Sequence, residues 1–151
     1  MQTLLKHIAT LGPIGYIPFA PGTFGSLAGL GSVWFFPVAL KTHFLIITVG
    51  AVAGSYAAAS AERQLKEKDS KKIIVDEFIG FYAATLFIPR MGILLIAAFV
   101  IFRFFDIIKP LMINKVENAL SNGAGIMADD IMAGIYTNMV LQVWLSAVRW
   151  F

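Results

Sequence analysis

The chain has 151 residues, no cysteine, a net charge of +3, and 58% hydrophobic against 14% charged residues. That length suits one domain over 1–151, and the composition excludes disulfide frameworks, thiolate metal sites and cysteine nucleophiles, while 13 Phe, 3 Trp and 4 Tyr exclude disorder. So few charges cannot coat a water-soluble fold of this size, so the bilayer is the expected solvent, and the small basic excess reads as loop orientation in a membrane rather than as a nucleic-acid footprint.

The start lacks the basic cap, apolar core and small-residue cleavage site of a signal peptide, and none is expected. Residues 1–26 are punctuated by Gly and Pro and end in Ala20-Pro21-Gly22-Thr23-Phe24-Gly25-Ser26. An apolar run over 27–40 follows and is expected to break at Lys41-Thr42-His43. The next run, 44–61, approaches the roughly 20 residues of a spanning helix. Its small residues, with Gly50 and Gly54 four apart, suit close helix packing. A hydrophilic stretch over 62–77 precedes an apolar region over 78–102, which is broken at Pro89-Arg90. The polar segment 103–130 contains Pro110 and the turn-like Ser121-Asn122-Gly123-Ala124-Gly125. The last apolar helix, 131–148, runs into Arg149-Trp150-Phe151, a terminus of the interfacial kind.

If Lys41-Thr42-His43 and Pro89-Arg90 are tight turns of two helical hairpins, the three polar stretches share one side of the membrane. That side holds nine basic residues (Lys6, Arg63, Lys66, Lys68, Lys71, Lys72, Arg103, Lys109, Lys115) against three on the other (Lys41, Arg90, Arg149). The positive-inside rule then makes it cytoplasmic. The expected architecture is all-α: a polytopic membrane helical bundle of about five apolar helices with an acidic site at the cytoplasmic surface. The runs 27–40 and 78–89 would cover only about 18–21 Å of a core about 30 Å thick, so some helices are short or re-entrant.

Nine carboxylates are present. Glu62, Glu67 and Asp69 alternate with basic residues and read as a solvated helix end. Asp76, Glu77, Asp106, Asp129 and Asp130 instead abut apolar helices, where an uncompensated carboxylate is costly. The adjacent acids Asp76-Glu77 and Asp129-Asp130 should repel unless a cation sits between them. Clustered carboxylates without cysteine are the hard-oxygen set preferred by Mg²⁺ or Mn²⁺. The competing reading makes each pair a helix N-terminus that complements the dipole. Arg103, Asp106 and Lys109 follow at i, i+3 spacing, either as an intrahelical ion pair or as a metal ligand flanked by two phosphate-binding cations. The segment 20–26 offers glycines, hydroxyls and free N–H groups before a helix, a recipe for anion binding. His7 and His43 are isolated, and no P-loop, G-x-G-x-x-G or D-x-D pattern occurs. What remains is metal-dependent chemistry or none.

Four motifs in order carry a resemblance: Ala20 to Ser26 above, Ile74-Val75-Asp76-Glu77-Phe78-Ile79-Gly80, Phe102-Arg103-Phe104-Phe105-Asp106-Ile107-Ile108-Lys109-Pro110, and Gly125-Ile126-Met127-Ala128-Asp129-Asp130-Ile131-Met132-Ala133-Gly134. Together they resemble the phosphatidylglycerophosphatase A family of bacterial membrane phosphatases. Two departures, Asp69-Ser70 for an Asp-Pro and Met112 for a second Pro, fall in loops beside the expected ligands. The resemblance implies Mg²⁺-dependent removal of the terminal phosphate of phosphatidylglycerol phosphate at the cytoplasmic face of the bacterial inner membrane. The expected partners are that lipid and the bilayer, with no nucleic acid. Asp76, Glu77, Asp106, Asp129 and Asp130 are then the expected Mg²⁺ ligands. Arg103 and Lys109 would neutralise phosphoryl charge, Asp130 or Asp106 would be general base, and Thr23, Gly25 and Ser26 would hold the phosphate. Acyl chains would lie against Phe24, Trp34 and Phe104. Lys66, Lys68, Lys71 and Lys72 read as anionic-lipid attractors or as a positive-inside anchor. The rival readings are a phosphatase for another lipid phosphate and a non-enzymatic membrane carrier or scaffold.

Overall fold

A computed structural model describes residues 2–68, 70–110, 120 and 123–148. Asp69, Met112, Lys115, Glu117, Ser121, Asn122 and residues 149–151 lie outside the described residues. Among the described residues there are six α-helices and no strand: α1 (Gln2–Ala9), α2 (Pro21–Phe35), α3 (Leu40–Leu65), α4 (Val75–Ala84), α5 (Gly92–Ile108) and α6 (Gly123–Val148), with a 3-10 turn at Ile14–Tyr16.

Helix boundaries differ from the expected ones in two places. Lys41-Thr42-His43 is not a turn but the first turn of α3, and the break falls at residues 36–39. Pro37 is the cause: it has no N–H for the helix and forces Phe36 off helical geometry, to φ −116° and ψ 80°. That break lies hidden within an apolar run, while the polar triplet merely opens the next helix. The last helix begins at Gly123 rather than at 131, which puts Asp129 and Asp130 in its second turn and removes them from any N-cap. The turn at Pro89-Arg90 is where it was expected, between α4 and α5.

At 26 residues each, α3 and α6 are the two helices among the described residues long and apolar enough to cross a membrane. Helices α2, α4 and α5, of 15, 10 and 17 residues, reach only about 22, 15 and 26 Å at 1.5 Å per residue. The outer faces are apolar: Phe44, Val49, Val52 and Tyr56 on α3, Ile93, Ile96, Val100 and Ile107 on α5, and Val143 and Trp144 on α6 are all exposed. Asp76, Asp129, Asp130, Ser26 and Thr137 are buried. Apolar outside and polar inside is the distribution that lipid, not water, selects.

Short α4 is the hub and touches the five other helices. It crosses α6 at Gly80 and Gly134, where the two backbones nearly meet. A methyl on Gly80 would lie 2.7 Å from the Asp130 carbonyl oxygen, and one on Gly134 would lie 3.1 Å from the Ala84 nitrogen. Gly50 and Gly54 work as the spacing predicts, letting α3 close on Ile79 of α4 and Met127 of α6. The last carbonyls of α4 are satisfied from beyond the helix: Thr85 donates to the Phe81 and Tyr82 oxygens and Leu86 N–H to the Ala83 oxygen. Asn138 Nδ2 donates to the Ala84 and Leu86 oxygens at 3.1 and 2.6 Å, and His43 Nε2 bonds the Tyr82 oxygen at 2.9 Å. The helix can therefore stop inside the bundle. Its other end meets the N-terminal region, where Ile74 N–H donates to the Ala9 oxygen at 2.9 Å.

Candidate active site

Four chain segments converge at that end of α4. Asp76 and Glu77 occupy the first turn of α4, whose N-cap residue Ile74 makes no side-chain cap bond. Asp130 projects from α6 toward them. Asp76, Glu77 and Asp130 each present one carboxylate oxygen within 4.8 Å of the others. Asp76 Oδ1, Glu77 Oε2 and Asp130 Oδ2 are shielded from solvent and have no hydrogen-bond partner. Three convergent acids, each with one buried oxygen that has no hydrogen-bond partner, fit a cation, because burying an unpaired carboxylate costs several kcal/mol. Burial is the main reason Glu77 is pushed up to about 7, with the charge of Asp106 adding and that of Arg103 opposing. Asp76 is likewise raised well above the ordinary carboxylate range, first by burial and then by the charge of Glu77.

The two cations come from α5. Arg103 pairs with Asp106 one turn on, as the i, i+3 spacing predicts, and its Nη1 also reaches Ser26 Oγ at 3.4 Å. Pro110 prevents the helix from continuing, and Lys109 closes it in left-handed geometry at φ 46°. This rotation turns Lys109 away from the Arg103–Asp106 pair and into an ion pair with Asp129 of α6. Neighbouring residues on a helix point about 100° apart, so the adjacent acids separate: Asp130 joins the carboxylate cluster and Asp129 holds Lys109.

A cleft of about 390 Å³ runs over these groups, lined by Asp76, Glu77, Asp106, Asp129, Asp130, Arg103 and Lys109. Ala20, Pro21 and Gly22 form one edge and exposed Ile107 another. Ser70, Lys71, Ile73 and Ile126 complete the lining. Of the expected phosphate-binding residues, Thr23, Gly25 and Ser26 do not line the cleft. Gly25 is packed under Ile74, where a methyl would lie 2.8 Å from its carbonyl oxygen. Ser26 is buried and donates to the Gly22 oxygen at 3.0 Å. Ala20, Pro21 and Gly22 are the members of that motif at the cleft, with the Gly22 backbone against the Glu77 carboxylate. Phe24, Trp34 and Phe104 are exposed, as lipid-facing residues would be. His7 bonds the Thr3 oxygen at 2.8 Å, away from the cleft. Lys71 was indistinguishable from its basic neighbours in sequence; only the fold brings it to the lining.

The family model for phosphatidylglycerophosphatase A matches residues 7–145. The chain belongs to the phosphatidylglycerophosphatase A family. It is 36% identical to a Haemophilus influenzae protein named phosphatidylglycerophosphatase A, over 93% of this chain and 96% of that one. An Escherichia coli protein of the same name is 34% identical over 84% of this chain and 75% of its own. A Bacteroides thetaiotaomicron protein, provisionally named a phosphatidylinositol-3-phosphatase, is 36% identical over 90% of this chain and 87% of its own. No solved structure matches the chain. Family membership and the inside-out distribution of polar residues make this a membrane protein of a phosphatase family. Among the described residues, Asp76, Glu77 and Asp130 form an acidic cluster able to bind a metal ion.

Proposed function

We propose that the chain hydrolyses the terminal phosphomonoester of phosphatidylglycerol phosphate, with Mg²⁺ held by Asp76, Glu77 and Asp130. The observation that carries this reading is the set of three convergent acids, each with an unpartnered carboxylate oxygen, beside two cationic side chains in one cleft. All-oxygen donors are the set Mg²⁺ prefers. When bound, the ion supplies Lewis acidity and charge for phosphoryl transfer. Arg103 and Lys109 offset negative charge spreading over the phosphoryl oxygens. Asp106 lies in the cleft outside the three-acid cluster and serves as general base, taking a proton from the attacking water. The bond between phosphorus and the glycerol oxygen breaks, and the proton taken up by Asp106 passes to that oxygen, which leaves as an alcohol. The backbone end of α2 at Gly22 borders the phosphate, with Thr23, Gly25 and Ser26 supporting it from behind.

The same reading sets the chain in the bacterial inner membrane as a multi-pass protein with the cleft toward the cytoplasm, on the nine-to-three distribution of basic residues. A carrier would set its acids near mid-membrane. Here Asp130 lies seven residues from the start of α6 and eighteen from its end, about 10 and 27 Å, which favours a site near one face. The test is phosphate release from phosphatidylglycerol phosphate in detergent micelles, with Mg²⁺ or with EDTA, for wild type, Asp106→Asn and Asp130→Asn. Mg²⁺-dependent turnover lost in both variants is expected. Turnover unaffected by both substitutions would break the residue assignment. Release from phosphatidylinositol 3-phosphate or phosphatidate, but not from phosphatidylglycerol phosphate, would replace the headgroup.

A further inference from the structure

Four lysines between Lys66 and Lys72 look equivalent in sequence, yet among the described residues only Lys71 of this group lines the acidic cleft. Its neighbour Lys72 is committed elsewhere, with Nζ 5.8 Å from the centre of the Tyr16 ring. The backbone that carries Lys71 is pinned on both sides. Buried Ser70 donates its hydroxyl to Glu67 Oε2 at 2.6 Å and accepts the Ile73 N–H at 2.8 Å through its carbonyl, and Ile74 N–H is bonded to Ala9. Lys71 itself is exposed, so a fixed base presents a free amine at the rim. The two other cations of the cleft are already paired, Arg103 with Asp106 and Lys109 with Asp129. Among the described residues Lys71 is in no ion pair.

We propose that Lys71 binds the inner phosphodiester of the lipid substrate and thereby selects headgroups that carry a second phosphate. This rests on the phosphatase reading above. Phosphatidylglycerol phosphate has a terminal monoester and, across one glycerol, a diester joined to diacylglycerol. With the monoester at the carboxylate cluster, the glycerol leads back toward the rim and the diester arrives where the amine is. A charged hydrogen bond there adds affinity for the intact lipid without touching the reacting phosphorus.

The test measures kcat and KM for phosphatidylglycerol phosphate in mixed micelles with Mg²⁺, together with the Ki of inorganic phosphate. Inorganic phosphate probes the monoester pocket alone. Wild type, Lys71→Ala, Lys71→Arg and Lys72→Ala are compared. Lys71→Ala is expected to raise KM about tenfold, the loss of one charge-assisted hydrogen bond, with kcat and the phosphate Ki held. Its KM also becomes less sensitive to salt than that of wild type. Lys71→Arg restores KM, and Lys72→Ala behaves as wild type. An unchanged KM in Lys71→Ala would overturn the proposal, as would an equal rise in KM and Ki, or the same rise in Lys72→Ala, which would signal general surface charge. A folded, Mg²⁺-supplied wild type that releases no phosphate from this lipid would sink the phosphatase reading itself, and this role with it.

Discussion

Gly22→Ala separates the positioning of Glu77, the proposed metal ligand, from the stability of the fold. A methyl at Gly22 would overlap Glu77 Oε1, and would lie 3.1 Å from the carboxyl carbon and 3.3 Å from Arg103 Nη1. Carbon contacts settle at about 3.5–4.0 Å, so the carboxylate must retreat by about 1 Å. The colliding atoms end a flexible side chain, so α2 need not move. Alanine also favours a helix over glycine by up to about 1 kcal/mol, so the melting temperature in detergent should hold or rise. The reaction has no such slack. A displacement of about 1 Å in a reacting site costs on the order of a hundredfold in rate, about 2.7 kcal/mol of transition-state stabilisation. The assay is phosphate release from phosphatidylglycerol phosphate across a Mg²⁺ titration, run beside a thermal melt. The expected result is normal stability, kcat/KM down about a hundredfold and a raised Mg²⁺ requirement. Wild-type turnover with a wild-type Mg²⁺ requirement would refute the role of Glu77 as a positioned ligand.

Gly134→Ala should do the opposite and damage the fold. Its methyl would lie 3.0 Å from Ala83 Cβ and 3.1 Å from the Ala84 nitrogen, with the Gly80 carbonyl oxygen closer still. Those are backbone neighbours that cannot swing aside, so about 1–3 kcal/mol of overpacking is expected, read as a lower melting temperature. Gly31→Ala, whose methyl meets nothing within 4 Å, is the control; equal melts for the two variants would refute close contact at the crossing. The metal-free protein should also lose stability as pH rises. Glu77 titrates from an ordinary 4.5 up to about 7 in the fold, so its contribution is complete below about pH 4.5 and disappears through about pH 7. Mg²⁺ favours the ionised carboxylates and should abolish that decline. Melts in EDTA that stay flat across this range would contradict burial of the cluster.

Hydropathy located the apolar segments and the acids between them, because lipid exposure is written into composition. It did not locate helix ends that lie inside such segments. Pro37 breaks a helix within an apolar run, while Lys41, Thr42 and His43 are polar residues that a helix end at the membrane edge tolerates. Asp129 and Asp130 read in sequence as one repelling pair at a helix start. Only the continuation of α6 back to Gly123 fixes their rotation, and that continuation crosses residues too polar to look like a span. The spacing of Arg103, Asp106 and Lys109 correctly foretold one ion pair. It could not foretell that left-handed geometry before Pro110 sends Lys109 to another helix. The glycine-rich motif at 20–26 was visible as a motif, but whether its members face a ligand or a neighbouring backbone depends on α4, over fifty residues away. Asn138, one of two amides in apolar α6 with Gln142, is a signal of a buried polar partner: it serves the end of α4.

The shortness of α4 has a consequence for how the enzyme is made. Ten residues that begin at two carboxylates and end at carbonyls held by Asn138 and His43 cannot partition into lipid as an independent unit. Helix α3, which precedes it in the chain, can insert first and offers the Gly50 and Gly54 surface on which α4 docks. The other half of its berth, including Asn138 and Asp130, is on α6 and follows α4 and α5 in the chain. Until that helix arrives, the Ala84 and Leu86 carbonyls lack the Asn138 amide and the acidic cluster lacks Asp130. The cleft is thus completed only when α6 docks, because Asp129 and Asp130 of its lining come from that helix.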